Sequence, residues 1–147
     1  MRAYDTRNNN YENSEIRAWL NDQFIETAFN SAQKNFIPET LVDNSAESTG
    51  IANNPYICED TSDKTFLLSY KEAFQDGCFN SNVERKITDY TKALKACEEN
   101  GYGSIWLRSP DNNNVNTILI SVTGAKSTSN ITFKARGIVP ALTINLA

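Results

Sequence analysis

Apolar positions early in the chain recur at helical spacing. After a polar, Asn-rich lead-in over residues 1–13, Ile16, Trp19, Leu20, Phe24 and Ala28 share one face, while Arg17, Asn21, Asp22 and Glu26 fall on the other. That pattern predicts an amphipathic helix with Asn13 or Ser14 as its N-cap. A short second helical turn over 31–37 stops at Pro38, which cannot continue it, and 38–62 has no sustained period and reads as a long loop. The apolar run 64–68 suits a buried strand. Ser69 and Glu72 then form a capping box that predicts a helix ending at Gly77. Ile87, Tyr90, Leu94 and Cys97 repeat at three and four residues and predict another amphipathic helix, stopping near Asn100-Gly101.

Beyond Gly103 the period changes to two. Residues 104–108 read as a strand, 110–114 as a turn, and Ile118, Ile120 and Val122 alternate with Thr117, Leu119, Ser121 and Thr123 as in a strand with one buried face. A hairpin loop over 124–127 leads to a third alternation at Ile131, Phe133 and Ala135. The final run, 138–146, places Ile138, Leu142, Ile144 and Leu146 on one side, with Pro140 marking an edge position or a bulge. Helices first and antiparallel strands last make an α+β fold, read as a single domain over 1–147.

The composition supports folding: 39% hydrophobic and 22% charged residues, with a mean hydropathy of -0.50. Fourteen basic and eighteen acidic residues are scattered, giving a net charge of -4 and no cluster of Lys and Arg to neutralise phosphates, so nucleic acid is not an expected partner. No apolar run approaches the roughly 20 residues of a membrane span, and residues 1–5 lack a signal-peptide core. Histidine is absent, which removes the commonest general base and the histidine triads. Cys58, Cys78 and Cys97 contain no C-x-x-C pair, so no zinc site is read from them; buried or half-buried thiols are expected, with one disulfide as the alternative. No metal or cofactor is expected.

Four motifs carry a resemblance. Residues 11–21, Tyr-Glu-Asn-Ser-Glu-Ile-Arg-Ala-Trp-Leu-Asn, resemble a W-x-x-S-x-[IL]-R-x-W-L-N opening, and residues 63–73 a D-K-[VI]-F-L-L-S-x-x-E-A segment. Residues 106–110 match W-L-R-S-P, and residues 137–142 resemble a closing G-V-R-P-A-L. Together these are similar to a bacterial domain family of unknown function, found in secreted and surface proteins of Gram-positive and gut bacteria and related to C-type-lectin-like folds. The resemblance implies such a fold and an extracellular or cell-surface location. Three departures stand out. Val139 replaces the family's arginine, so its ion pair is missing or taken over by Arg136. Tyr11 replaces the opening Trp. The N-terminal strands that precede this opening are not seen, leaving 138–146 with a bare edge to be covered by a second copy or by residues 1–10.

Trp19, Trp106, Arg108 and Pro140 are read as structural, Trp106 as core and Arg108 as a bridge to backbone carbonyls or a nearby acid. Asp111, Asn112, Asn113 and Asn114 offer oxygen ligands, but their spacing does not fit an EF-hand and a plain turn is preferred. The chain has nineteen asparagines. The Asn-rich segments around 111–116 and 126–130 are the expected binding face, with Asp111, Asn112, Asn113, Asn114, Asn116, Lys126 and Asn130 as ligand-binding residues. The functional expectation is a non-catalytic recognition module for a glycan or a protein. The alternatives are an enzyme related to formylglycine-generating oxidases, which requires a close pair of cysteines, and a structural or assembly domain.

Overall fold

The computed structural model describes residues 2–79 and 83–146. Helix α1, Glu15–Trp19, starts where the Ser14 hydroxyl accepts the Arg17 amide at 3.2 Å. It runs on through a π-helical turn, Leu20–Phe24, into α2, Ile25–Ala28. The extra residue in that turn moves the buried face: Ile16 and Leu20 are followed by Ile25, while Ala28 is exposed. The polar face is also not simply solvated. Arg17 Nε donates to Asp63 at 2.8 Å, and Asn21 accepts the Lys64 and Thr65 amides while donating to the Thr65 carbonyl. Helix α3, Ser31–Lys34, has a capping box between Asn30 and Gln33.

The expected loop 38–62 contains three short elements: β1, Thr40–Val42; α4, Ala46–Thr49; and β2, Thr61–Asp63, antiparallel to β1. Three- and four-residue elements are too short to show a period. Conversely, the strand expected at 64–68 is irregular, with one antiparallel bridge from Phe66 to Ala141. Side chains take the place of a ladder there, since Asn21 satisfies the backbone at 64–65 and Arg108 binds the Leu67 carbonyl. Helix α5, Tyr70–Phe74, carries the expected Ser69–Glu72 capping box.

The helix expected over 87–97 shrinks to α6, Asp89–Ala93, capped by Thr88. Its apolar face finds no core: Tyr90 is 74% exposed and Lys95 turns left-handed at φ 60°. Around it lies a small sheet in which β5, Tyr102–Gly103, sits between β3, Arg85–Lys86, and β4, Glu98–Glu99.

The main sheet is antiparallel in the order β6 (Ile105–Pro110), β7 (Asn116–Ile120), β8 (Lys126–Asn130). Strand β7 buries both faces, not one: Leu119 joins Tyr4, Tyr11, Ile16, Leu20 and Trp106 on one side, and Ile118 and Ile120 join Ala73, Ile105 and Leu107 on the other. The alternation at 131–135 is not a strand. Ile131 is buried, its carbonyl accepting the Tyr4 amide at 2.8 Å, while Phe133 is 44% exposed. Nor is 138–146 a strand: among the described residues its ladder pairing is the single bridge Phe66–Ala141, with Ile105–Gly137 just before it. Among the described residues, no backbone hydrogen bond joins 2–10 to that segment; their backbones bond instead to Ile131, Asn114 and Ile16. The architecture is α+β.

Arg108 fastens these parts together. Its side chain is 1% exposed, and it donates through Nη1 to the Leu67 carbonyl at 2.7 Å and to Glu72, and through Nη2 to the Asp43 carbonyl at 2.9 Å and to Glu72 at 3.1 Å. One strand residue therefore holds β1's exit, the irregular 64–68 segment and the first turn of α5. Removing one partner of such a pair strands the other without compensation. Arg108→Ala and Glu72→Ala are each expected to cost about 3–5 kcal/mol, and the double variant less than their sum. Urea denaturation of the four proteins measures this.

Candidate functional site

The structure brings the predicted Asn-rich residues only partly together. Asn116 and Asn130 are paired across β7 and β8, but Lys126 lies at the far end of β8, its ammonium 4.7 Å from the Tyr70 ring. Residues 126–130 form a strand, not a loop. The 111–116 turn is wired to itself and to the N-terminal segment. Asn113 accepts the Val115 and Asn116 amides and donates to Asp111 at 3.1 Å, and buried Asn9 donates to the Asn113 and Asn116 carbonyls, both at 2.6 Å. That leaves Asn112 and Asn114 as the exposed asparagines of the turn. Among the described residues no group of three or more Cys, Asp and Glu side chains is placed to hold a metal ion.

The three cysteines are free and sit in separate places. Cys58 packs against the core, Cys78 is exposed after α5, and half-buried Cys97 bonds through its amide to the Ala135 carbonyl. The exposure of Cys78 departs from the expectation of buried or half-buried thiols. Burial pushes the Cys58 thiol up; desolvation, then the charges of Glu72 and Asp76, push Cys78 up, which favours thiol over nucleophilic thiolate. Arg136 makes no ion pair among the described residues. It donates to Ser104 and Ser129 hydroxyls, while Val139 packs with Phe79 and Val83 in the second core cluster.

Periodicity missed a groove along the outside of α1. Trp19 is half-buried and stands between two clefts. One, about 530 Å³, is lined by Arg2, Ala3, Thr6, Glu15, Lys134 and Ile138; the other, about 320 Å³, by Gln23, Phe24, Thr27 and Ala28. The Arg2 guanidinium lies 5.2 Å from the Trp19 ring centre and donates to Gln23 at 3.1 Å, bridging the two. In a regular α-helix residues five apart point roughly 140° apart. The π-helical turn closes that angle, so the Trp19 and Phe24 rings meet at 5.3 Å, and Phe24 meets Phe29 edge-on at 6.2 Å. The result is an aromatic floor with a rim of charged and amide groups. Trp19 packs partly against the first core cluster, and a helix read at uniform spacing gives no sign of the turn that brings Phe24 beside it.

Asp5 braces this rim. Buried beneath its own loop, it accepts the amides of Arg7 at 2.6 Å, Asn8 at 3.4 Å and Glu15 at 3.0 Å, so the segment carrying Arg2, Ala3 and Thr6 is held against the start of α1. Burial pushes its carboxyl up, but the Arg7 backbone and side chain and the Glu15 and Asn8 amides outweigh it and hold Asp5 below its usual range.

Comparison with known proteins finds one family, described as a domain of unknown function (DUF6273), whose profile matches residues 1–146. No curated protein and no solved structure matches the chain.

A carboxyl with a depressed folded-state pKa contributes stability above its unfolded pKa and loses it as pH falls through the folded value. Asp5→Asn is therefore expected to destabilise the protein at neutral pH, and the gap to the parent should close as pH drops below about 4, the ordinary aspartate value. Urea midpoints from pH 7 to 2.5 measure it; a gap independent of pH contradicts the brace.

Proposed function

The chain belongs to the DUF6273 family, and we propose that it is a non-catalytic recognition module of a bacterial surface or secreted protein, built on a C-type-lectin-like scaffold and binding a glycan. The observation that carries the reading is the Trp19 groove. A sugar ring offers an apolar C–H face and an equatorial rim of hydroxyls. Trp19 and Phe24 supply flat apolar surface for the first; Arg2, Glu15, Gln23 and Lys134 supply donors and acceptors for the second. Two clefts sharing one indole suit at least two consecutive sugar units. This reading puts the ligand on the outer face of α1 and not at the Asn-rich turn, where the Asn113 amide is bonded within the turn.

The reading is stronger for a glycan than for a highly charged ligand. The groove carries both signs: Arg2 and Lys134 stand against Glu15, and the Thr6 hydroxyl donates to the Glu15 carboxylate. Two cations against one carboxylate leave a single positive charge, which suits neutral or singly acidic sugars.

The chain has two tryptophans, and Trp106 is 1% exposed, so a change in emission on adding ligand reports Trp19. A glycan array followed by titration of its hits should quench or shift Trp19 emission. Trp19→Ala and the rim variant Gln23→Ala are each expected to lower affinity about tenfold, roughly 1.4 kcal/mol. Hits that leave Trp19 emission unchanged and bind Trp19→Ala equally well place the ligand elsewhere, and an empty array removes the reading.

A further inference from the structure

The C-terminal segment leaves both a cleft and a backbone edge uncovered. Leu142, Ile144 and Leu146, at every second position, line a cleft of about 470 Å³ whose other wall is Phe29, Phe36 and Ile37. Ile144, Leu146 and Phe36 are 56%, 92% and 51% exposed, far more than side chains of that size usually are in a finished apolar surface. The segment is held on one side only. The Asn145 amide donates to the Phe36 carbonyl at 2.9 Å and the Thr40 hydroxyl to Thr143 at 2.8 Å. Among the described residues, the backbones of Leu142, Thr143, Ile144 and Leu146 make no hydrogen bond to another backbone group. An unpaired edge next to an apolar cleft is a template for another strand.

We propose that the occupant is the same segment of a second copy of this chain, paired antiparallel about a two-fold axis at Ile144. The segment is self-complementary in that register. Leu142 faces Leu146 of the second copy, Ile144 faces Ile144, and each copy's alternate side chains reach the other's cleft. Charge agrees. The cleft's polar lining is two neutral amides, Gln33 and Asn145, so two chains of net charge -4 meet on a patch that carries none of it. The same neutrality gives a charged foreign peptide nothing to pair with. The assembly does not depend on the glycan reading, since neither Trp19 nor its rim takes part.

Sedimentation equilibrium of the full chain over micromolar to submillimolar concentration tests it. The expected result is a reversible rise from 16.5 kDa toward twice that mass, with hydrogen exchange at the Ile144 and Leu146 amides slowing as the dimer forms. Ile144→Asp with Leu146→Asp, both exposed positions that leave the fold intact by circular dichroism, should abolish the dimer. Phe36→Asp, on the cleft's other wall and outside the paired segment, should weaken it several-fold. A 16.5 kDa species at every concentration overturns the proposal, as does a dimer that survives the double substitution.

Discussion

A buried guanidinium sets the terms for the rest of this molecule. Arg108 sits on β6 with its side chain almost entirely out of water, and a charge in that position needs acceptors, which Nη1 and Nη2 find while buried Nε has none among the described residues. The acceptors come from three stretches of chain: the Asp43 carbonyl after β1, the Leu67 carbonyl, and the Glu72 carboxylate in the first turn of α5. None of these stretches is stabilised by much regular structure of its own. Their order follows from the need to satisfy the cation, and Glu72 does double work, since the same carboxylate accepts the Ser69 amide in the capping box at 2.7 Å. Helix start and strand core are thus one electrostatic unit.

The asparagines work in a similar way on a smaller scale. Asn9 ties the N-terminal segment to the 111–116 turn, Asn21 replaces a strand partner for 64–65, Asn44 donates to the Glu59 carbonyl at 2.9 Å, and Asn54 donates to the Pro110 carbonyl at 3.0 Å. An amide that both donates and accepts completes backbone groups that have no ladder. This explains how a chain with strands of two or three residues outside its main sheet keeps its loops in register. Part of the richness in asparagine belongs to that internal work.

What the sequence revealed follows from the length of each signal. The helix at 15–28, the Ser69–Glu72 cap, strand β6 and the α+β class were legible because each rests on local spacing or on a cap whose geometry is contained within four residues. The π-helical turn was not, because it depends on how Trp19 and Phe24 are held, and one inserted residue shifts every later position of the face. Strands β1 and β2 are too short to carry a period. The expected helix at 87–97 and strand at 138–146 failed for a different reason: both show apolar spacing without a core to receive it, as Tyr90 and Leu146 demonstrate by their exposure. Spacing reports which side chains seek burial, and only the fold decides whether they find it. The Trp19 cleft was not legible because it depends on Phe24 being brought beside Trp19 across the π-helical turn, which uniform spacing does not show.

The two uncovered surfaces have a common origin. The core of the fold is the Arg108 unit with the two clusters on either side of β6 and β7. Outside it, the outer face of α1 and the segment after Pro140 keep apolar groups only half covered, the latter tied by the Asn145 amide to Phe36 and by Thr40 to Thr143. Where polar groups interleave with aromatic ones, as around Trp19, half-cover is compatible with a surface that stays in water and selects ligands having both characters. Where they do not, as at Ile144 and Leu146, half-cover is a cost that pairing relieves. The difference between the two surfaces is therefore set by their rims, charged in one case and neutral in the other.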